Sequence, residues 1–205
     1  SAMFLTAPMW SCTGSGTTTI DSDAGTITGG CSTSFDVTDG VSQTGGGAVM
    51  VVRLRGLSVT GNHVLKLVGD KPIVFLVAGD VVVDSGGRID ASASGATGGP
   101  GAFDAASCGT GAGGAGNDAG WGGGGGGFGT PGGDGGYDVE NAGAMGGDAM
   151  LTPLRGGCPG GSTTGSTRSR ERGGAFEISA SGAISIGPTG TGILAAGGGG
   201  GPATS

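Results

Sequence analysis

Charged side chains are scarce in this chain, at 12% of its residues, and Lys and Arg together number 9 against 16 Asp and Glu. The formal net charge is therefore −7. Binding to duplex nucleic acid depends on clustered Lys and Arg that neutralise phosphates. This composition argues against a nucleic-acid partner.

Long apolar runs are also absent, and aromatic side chains are scarce. No run approaches the 18 apolar residues of a membrane-spanning helix, so we expect no such segment. Aromatics make up 4% of the chain. The single histidine, His63, opens a predicted strand, and its position favours a surface or turn role. Neither a G-x-S-x-G elbow nor a P-loop signature occurs, so no catalytic residue and no enzymatic activity are predicted.

Glycine dominates what is present: 55 of the 205 residues are glycine, against an average share of about 7%. Each glycine inside a helix costs about 0.8–1 kcal/mol relative to alanine, so a mostly helical protein is disfavoured. Apolar segments such as Ile73–Val77 are poorly compatible with simple disorder.

The composition divides the chain into four parts. Residues 1–47 are a polar, Thr- and Ser-rich cap or set of strands, and residues 48–95 are a β core. Residues 96–174 are a glycine-rich insertion, and residues 175–205 return to the β core and end in a glycine tract. Short β-branched runs punctuated by Gly or Asp predict an all-β fold.

A weak repeat favours one kind of all-β fold. The stretches Phe75–Ala91 and Phe176–Ala195 match in spacing to within one or two residues. They are expected to stack as two coils of a short parallel β-solenoid, with residues 96–174 leaving and returning between them. An antiparallel sandwich is the alternative.

The glycine-rich insertion has two interpretations, a flexible coil or an ordered bundle of extended, polyproline-II-like segments. Glycine does not recur strictly at every third residue, which excludes a collagen triple helix. The bulky residues scattered through the region favour the ordered bundle. Of these, Trp121, Phe128 and Tyr137 are the candidate contact residues.

Four cysteines, Cys12, Cys31, Cys108 and Cys158, lack the close spacing of a zinc site and suggest disulfides in an oxidising compartment. Three connectivities are possible. Pairing within each compositional zone favours Cys12–Cys31 and Cys108–Cys158. Four buried free thiols are the alternative.

Candidate metal ligands and catalytic carboxylates are few. Gly113–Trp121 fits a calcium-binding nonapeptide except at Gly120, which makes Asp118 a weak calcium candidate, and no other cofactor or metal is predicted. Asp80, Asp84 and Asp90 are close in sequence and would be the carboxylates of a carbohydrate-active β-helix enzyme. Aspartate after glycine is more simply turn chemistry.

Several segments resemble the glycine-rich secreted or surface proteins of myxobacterial type. They are the Thr-rich opening with Cys31, Lys71–Val81, Ile89–Gly95, the glycine tract, Leu151–Gly161 and Phe176–Gly201. The resemblance implies export and a surface or matrix setting, and it brings no established activity.

We therefore predict an extracellular or cell-surface structural or adhesive module that is not an enzyme. Its expected partners are a glycan, another surface or further copies of itself. The alternatives are a carbohydrate-active lyase or glycosidase that uses Asp80, Asp84 or Asp90, and an ice-binding protein. Ice binding would use flat rows of threonine, as in Thr17–Thr19 and at Thr26 and Thr28.

Overall fold

The computed structural model describes residues 6–31, 34–94, 97–103, 105–116, 123–127, 130–135, 152–162 and 172–198. Within these ranges the chain forms β-strands, one helix of four residues (α1) and one turn of 3-10 helix. The strands are β1 (Met9–Cys12), β2 (Gly16–Asp21), β3 (Thr26–Gly29), β4 (Asp36–Val41), β5 (Val49–Leu54), β6 (Gly56–Val59), β7 (His63–Val68), β8 (Ile73–Val77), β9 (Val81–Val83), β10 (Arg88–Asp90), β11 (Phe176–Ala180), β12 (Ile184–Ile186) and β13 (Ile193–Ala195). The helix α1 is Ala105–Cys108, and the 3-10 turn is Gly109–Gly111.

The strands form three sheets, which the chain visits in a fixed order. Sheet I has the order β1-β6-β9-β12, sheet II β13-β10-β7-β2-β3, and sheet III β11-β8-β5-β4. From β5 onwards the chain passes through sheets III, I and II three times. We call these passages layer 1 (β5–β7), layer 2 (β8–β10) and layer 3 (β11–β13). Each strand of one layer pairs in parallel with the corresponding strand of the next. The predicted all-β class is confirmed.

The core lies between the three sheets because alternate residues of each strand point inward. In β8, Ile73, Phe75 and Val77 are buried, while the two residues between them are partly exposed. In β7 the same alternation buries Leu65 and Leu67. Strands with period-2 burial and many β-branched residues are typical of sheets that cover a core on one face. All three sheets contribute to a single hydrophobic cluster.

Glycines at the corners let successive layers approach closely. A Cβ atom on Gly79 would lie 2.5 Å from the carbonyl oxygen of Arg55, and one on Gly87 would lie 2.0 Å from that of Val59. Arg55 lies between β5 and β6, and Val59 ends β6, so both oxygens belong to layer 1, directly beneath layer 2. These glycines in the sequence therefore mark places where the backbone of one layer lies directly on the backbone of the next.

The expected pairing of residues near 75–91 with residues near 176–195 is confirmed, with a shifted register. Phe176 pairs with Ile73 and Ile178 with Phe75, two residues away from an alignment that starts both stretches at their phenylalanine. A shift of two keeps the same side chains facing the core, because strand side chains alternate with a period of two. The inward pattern is therefore preserved.

The N-terminal strands close one end of this arrangement. β1 and β2 pair in parallel with layer 1, while β3 and β4 form antiparallel edges on sheets II and III. Trp10 is buried, and its Nε1 donates to the carbonyl oxygen of Ser34 at 3.1 Å. A disulfide between Cys12 and Cys31 ties β1 to the residues after β3.

The described parts of the glycine-rich region (residues 96–174) are held by hydrogen bonds between separate segments. Gly113 N donates to Pro159 O at 3.0 Å, and Gly161 N donates to Gly124 O at 2.7 Å. The second disulfide joins Cys108, at the end of α1, to Cys158. Both predicted disulfide pairings are thus confirmed. No helix among the described residues is long and apolar enough to cross a membrane.

Candidate functional site

The three candidate catalytic carboxylates lie at different corners of layer 2. Asp80 follows β8, Asp84 follows β9, and Asp90 ends β10. A glycosidase needs two carboxylates that face each other across a cleft, about 5–10 Å apart. In this fold each carboxylate instead contacts residues of its own corner or of an adjacent layer.

Asp84 joins layer 2 to layer 3. Its side chain is buried, accepts a hydrogen bond from Ser85 N at 2.7 Å and another from Thr189 N at 3.1 Å, and also accepts one from the Thr189 hydroxyl. The Thr189 hydroxyl hydrogen bond, together with the backbone donors, holds the pKa of Asp84 below its usual value although burial opposes this. A carboxyl so engaged is an ionised structural group.

Asp80 and Asp90 have similar structural roles. Asp80 Oδ1 accepts from Ala183 N at 2.8 Å, which links layer 2 to layer 3. Asp90 Oδ2 lies 3.5 Å from Lys66 Nζ and 3.2 Å from an Arg88 guanidinium nitrogen. Burial raises the pKa of Asp90, but hydrogen bonds from Ser92 and the charges of Lys66 and Arg88 outweigh it, so the pKa lies below its usual value.

The threonine rows are confined to β2 and β3. Thr19 is directly opposite Thr28 on β3, but its other neighbour, on β7, is Lys66. Lys66 is in turn opposite Asp90 on β10. Charged residues therefore interrupt the flat threonine surface that the ice-binding alternative needs.

The remaining predicted site residues fall outside the described ranges. They are the contact candidates Trp121, Phe128 and Tyr137 and the calcium candidate Asp118. Their roles stay predictions.

Layer 3 leaves part of its apolar face uncovered. Ile184 and Ile186 on β12 pair with Val81 and Val83 on β9, which are completely buried. At the same inward positions one layer further on, however, Ile184 is 47% exposed and Ile186 is 40% exposed. Leu194, which pairs with the buried Ile89, is 44% exposed. Among the described residues no further layer covers them.

Within the described ranges, the strands of layer 3 also have no strand partner on one side. β11, β12 and β13 each form the last strand of their sheet. An edge strand offers a row of free N–H and C=O groups to another strand. We call the three edge strands of layer 3 and their exposed apolar side chains the open end.

A cleft of about 470 Å³ lies beside the open end, between the start of β11 and residues 154–158. Arg155, Arg172 and Phe176 contribute to its walls. A second groove of about 350 Å³ shares both arginines and includes Phe103. We call these two spaces together the arginine cleft.

The arginine cleft is organised around Phe103. The Cζ atom of Arg155 lies 5.1 Å from the centroid of the Phe103 ring, and Arg172 Nη1 donates to the Phe103 carbonyl oxygen at 2.5 Å. The neighbouring Leu154 is fixed by two hydrogen bonds between its backbone and the Gln43 side-chain amide. Two guanidinium groups thus lie together against Phe103 in an otherwise acidic protein.

The prediction of a surface position for His63 is wrong, although its N–H does close a turn by donating to Thr60 O at 3.3 Å. The residue is only 4% exposed, and its Nε2 lies 3.0 Å from Thr18 Oγ1. The signal was present in β7, where strict alternation places His63 on the same face as the buried Leu65 and Leu67. An inward strand position outweighed the usual preference of histidine for partial exposure.

No family model, curated protein or solved structure matches this chain. The resemblance to myxobacterial glycine-rich proteins therefore stays a prediction, and the functional argument depends on the geometry of this chain alone.

Proposed function

We propose that this chain is a non-enzymatic structural and adhesive module of an extracellular surface or matrix, built as a short three-sided parallel β-solenoid. The observation that carries the proposal is the difference between its two ends. The strands β1, β3 and β4 at the N-terminal end are sheet edges too, but antiparallel pairing and a disulfide hold that end, whereas the edge strands of layer 3 expose a group of apolar side chains. Soluble proteins normally cover or blunt such edges, so we expect the open end to be covered in the working assembly.

The occupant we propose is a second copy of the chain, with its open end facing the first. In β11, β12 and β13 the only charged residue is Glu177, so an apolar interface can form with little charge burial. The opposite end is less suitable because its edge strand β4 carries Asp36 and Asp39. A two-fold axis is the commonest symmetry of soluble oligomers.

Sedimentation velocity across a concentration series tests this arrangement, with Ile184→Lys as the disrupting variant. Lysine at the centre of an apolar interface should weaken association at least about tenfold, a cost of about 1.4 kcal/mol or more. The matched control is Met9→Lys, because Met9 is 66% exposed on β1, the opposite edge strand of sheet I. The control should associate like the parent. A parent chain that stays monomeric would contradict the proposal, and equal effects of both substitutions would indicate head-to-tail assembly instead.

The extracellular setting is supported by the two disulfides, which indicate an oxidising environment. The hydrogen bonds between Gly113, Gly124, Pro159 and Gly161 support an ordered polyglycine-type bundle for the glycine-rich region. We propose that this bundle presents Trp121, Phe128 and Tyr137 for contact. A pull-down on cell surfaces and glycans with Trp121→Ala tests their role, and unchanged retention would remove Trp121 from the contact set.

A second candidate function, binding of a carboxylate-bearing glycan, is favoured by the arginine cleft. Guanidinium groups recognise carboxylates through paired hydrogen bonds, and an aromatic ring offers an apolar surface for a sugar face. Retention on an immobilised polyuronate, compared with a neutral glucan, tests it. Arg155→Gln should reduce polyuronate retention, whereas Arg53→Gln, whose side chain pairs with Asp36 at 3.4 Å, should not. Equal retention on both polymers would contradict this function.

The enzymatic alternative has less support because Asp80, Asp84 and Asp90 each have structural partners at separate corners. Ice binding has less support because Lys66 and Asp90 interrupt the threonine surface. We therefore propose that the β-solenoid has a structural role. Binding of partners is proposed for the open end and the arginine cleft.

A further inference from the structure

Three residues distant in sequence bring metal-binding atoms together near the N-terminal strands β1 and β2. The Sγ atoms of Cys12 and Cys31 and one ring nitrogen of His63 all lie within 4.8 Å of one another. Cys12 ends β1 and His63 begins β7, so the corner between sheets I and II sets their positions. In the structure the two sulfurs are joined as a disulfide.

The histidine in this cluster is buried but incompletely satisfied. His63 is 4% exposed, and no described residue forms a hydrogen bond with its Nδ1 atom. Its other nitrogen, Nε2, lies 3.0 Å from Thr18 Oγ1, and the same hydroxyl accepts a hydrogen bond from Cys31 N at 3.2 Å. A buried polar atom without a partner is costly, and such atoms often mark a functional role.

We propose that reduction of the Cys12–Cys31 disulfide converts this cluster into a Zn²⁺ site with two thiolates and one imidazole as ligands. Zinc favours tetrahedral sites made of cysteine and histidine, with Zn–S distances of about 2.3 Å. Two thiolates neutralise the charge of Zn²⁺, so the complex adds no net charge to a buried position. The fourth coordination position is left for water.

The reductant in this proposal is a dithiol. Its thiolate attacks the sulfur of Cys31, because Cys31 is partly exposed whereas Cys12 is completely buried. The protein S–S bond breaks, and Cys12 leaves as a thiolate beside His63. The second thiol of the reagent then displaces Cys31 and closes a cyclic disulfide. Two electrons and two protons pass to the protein, and Zn²⁺ binding releases both protons from the two thiols.

The second disulfide provides an internal control. Around Cys108 and Cys158, no comparable cluster of histidine, cysteine or carboxylate ligands occurs within the part of the chain that the structure describes. The two cysteine pairs therefore differ in the presence of a neighbouring histidine. Only the pair beside His63 is expected to bind metal as a defined site.

The experiment uses the full chain, reduced with dithiothreitol and desalted without oxygen. Co²⁺ is titrated as an optical probe and is then displaced by Zn²⁺. We expect one Co²⁺ per chain, with thiolate-to-cobalt charge-transfer bands and tetrahedral d–d bands. Oxidised protein should show neither. The paired variant Cys108→Ser/Cys158→Ser should retain the spectrum, and His63→Gln should bind at least about tenfold more weakly.

Three results would overturn the proposal. The first is that the reduced protein binds no Co²⁺. The second is that His63→Gln binds Co²⁺ as tightly as the parent. The third is that the Cys108→Ser/Cys158→Ser variant loses the cobalt charge-transfer and d–d bands. Because reduction could loosen the fold, the strand content of each sample is measured by far-ultraviolet circular dichroism before and after Co²⁺ is added. Co²⁺ that restores strand content only where Cys12, Cys31 and His63 are all present supports the site.

Discussion

The layered core and the glycine-rich region satisfy their backbone hydrogen bonds in different ways. In the core, β-branched and aromatic side chains fill the space between three sheets, and parallel pairing follows from their stacking. In the glycine-rich region, segments without side chains approach closely enough to hydrogen-bond one another, as Gly161 does with Gly124. The layered core therefore depends on side-chain volume, whereas the glycine-rich region depends on the absence of side chains. Removing side-chain volume should therefore destabilise the core, and adding side-chain volume should destabilise the glycine-rich region.

The largest effect is expected from removing volume in the core. Phe75→Ala should lower the free energy of unfolding by about 3–5 kcal/mol, because Phe75 is completely buried on β8. Phe35→Ala is the control, since Phe35 is 52% exposed. Urea denaturation followed by circular dichroism measures both. Equal losses in the two variants would contradict the core as described.

Removing the disulfide of the glycine-rich region should affect that region first. The chain-entropy model assigns about 4 kcal/mol to a loop closed over 50 residues. Cys108→Ser/Cys158→Ser should speed amide exchange at Gly113, Gly124 and Gly161 while β7 and β8 remain protected. Hydrogen exchange with mass spectrometry distinguishes the regions, and equal loss of protection in both would break the comparison.

Adding volume in the glycine-rich region should destabilise it where segments touch. A Cβ on Gly161 would lie 1.7 Å from Gly114 O, whereas one on Gly157 would meet no atom within 4 Å. Gly161→Ala should therefore cost about 1–3 kcal/mol. Gly157→Ala should be within about 0.5 kcal/mol of the parent. The difference in urea midpoint between the two alanine variants sharpens the comparison, and no difference would indicate that the segments are not packed.

The smallest effect is expected from titration at a core corner. The pKa of Asp84 is held below its ordinary value by Thr189. A depressed pKa in the folded state contributes stability above the unfolded pKa of about 3.9, and this stability is lost as the pH falls further. Asp84→Asn should therefore flatten the decline of the thermal midpoint between about pH 5 and pH 2. An unchanged pH profile would show that Asp84 is not engaged as described.

Much of the layered core could be predicted from sequence because its signals are local. Short β-branched runs and glycine corners predict strands that return at regular intervals, and the match of Phe75–Ala91 with Phe176–Ala195 predicts their pairing. The register could not be fixed in this way, because contacts across about 100 residues decide between alignments that differ by two. The spacing between strands also differs between the two stretches. Six residues separate β12 from β13, whereas four separate β9 from β10, so the sequence alone does not align the two stretches uniquely.

The candidate sites were less accessible to sequence reasoning. The cysteine pairing followed from compositional zones, but the contact between His63 and Thr18 spans 45 residues and depends on the stacking of β2 on β7. The open end depends on which strands are last in their sheets, and no local pattern encodes that position. The arginine cleft likewise forms from the returning ends of the glycine-rich region, where Arg155 meets Phe103.

The most direct test of the layered arrangement is a set of nuclear Overhauser effects between backbone protons of layers 2 and 3. Paired strands lie about 4.8 Å apart, and the register places Phe75 beside Ile178 and Val82 beside Ser185. We expect interstrand effects at both pairs in uniformly labelled protein. Their absence, or effects that place β11 beside a strand of another sheet, would contradict the stacking on which the open end and its proposed function depend.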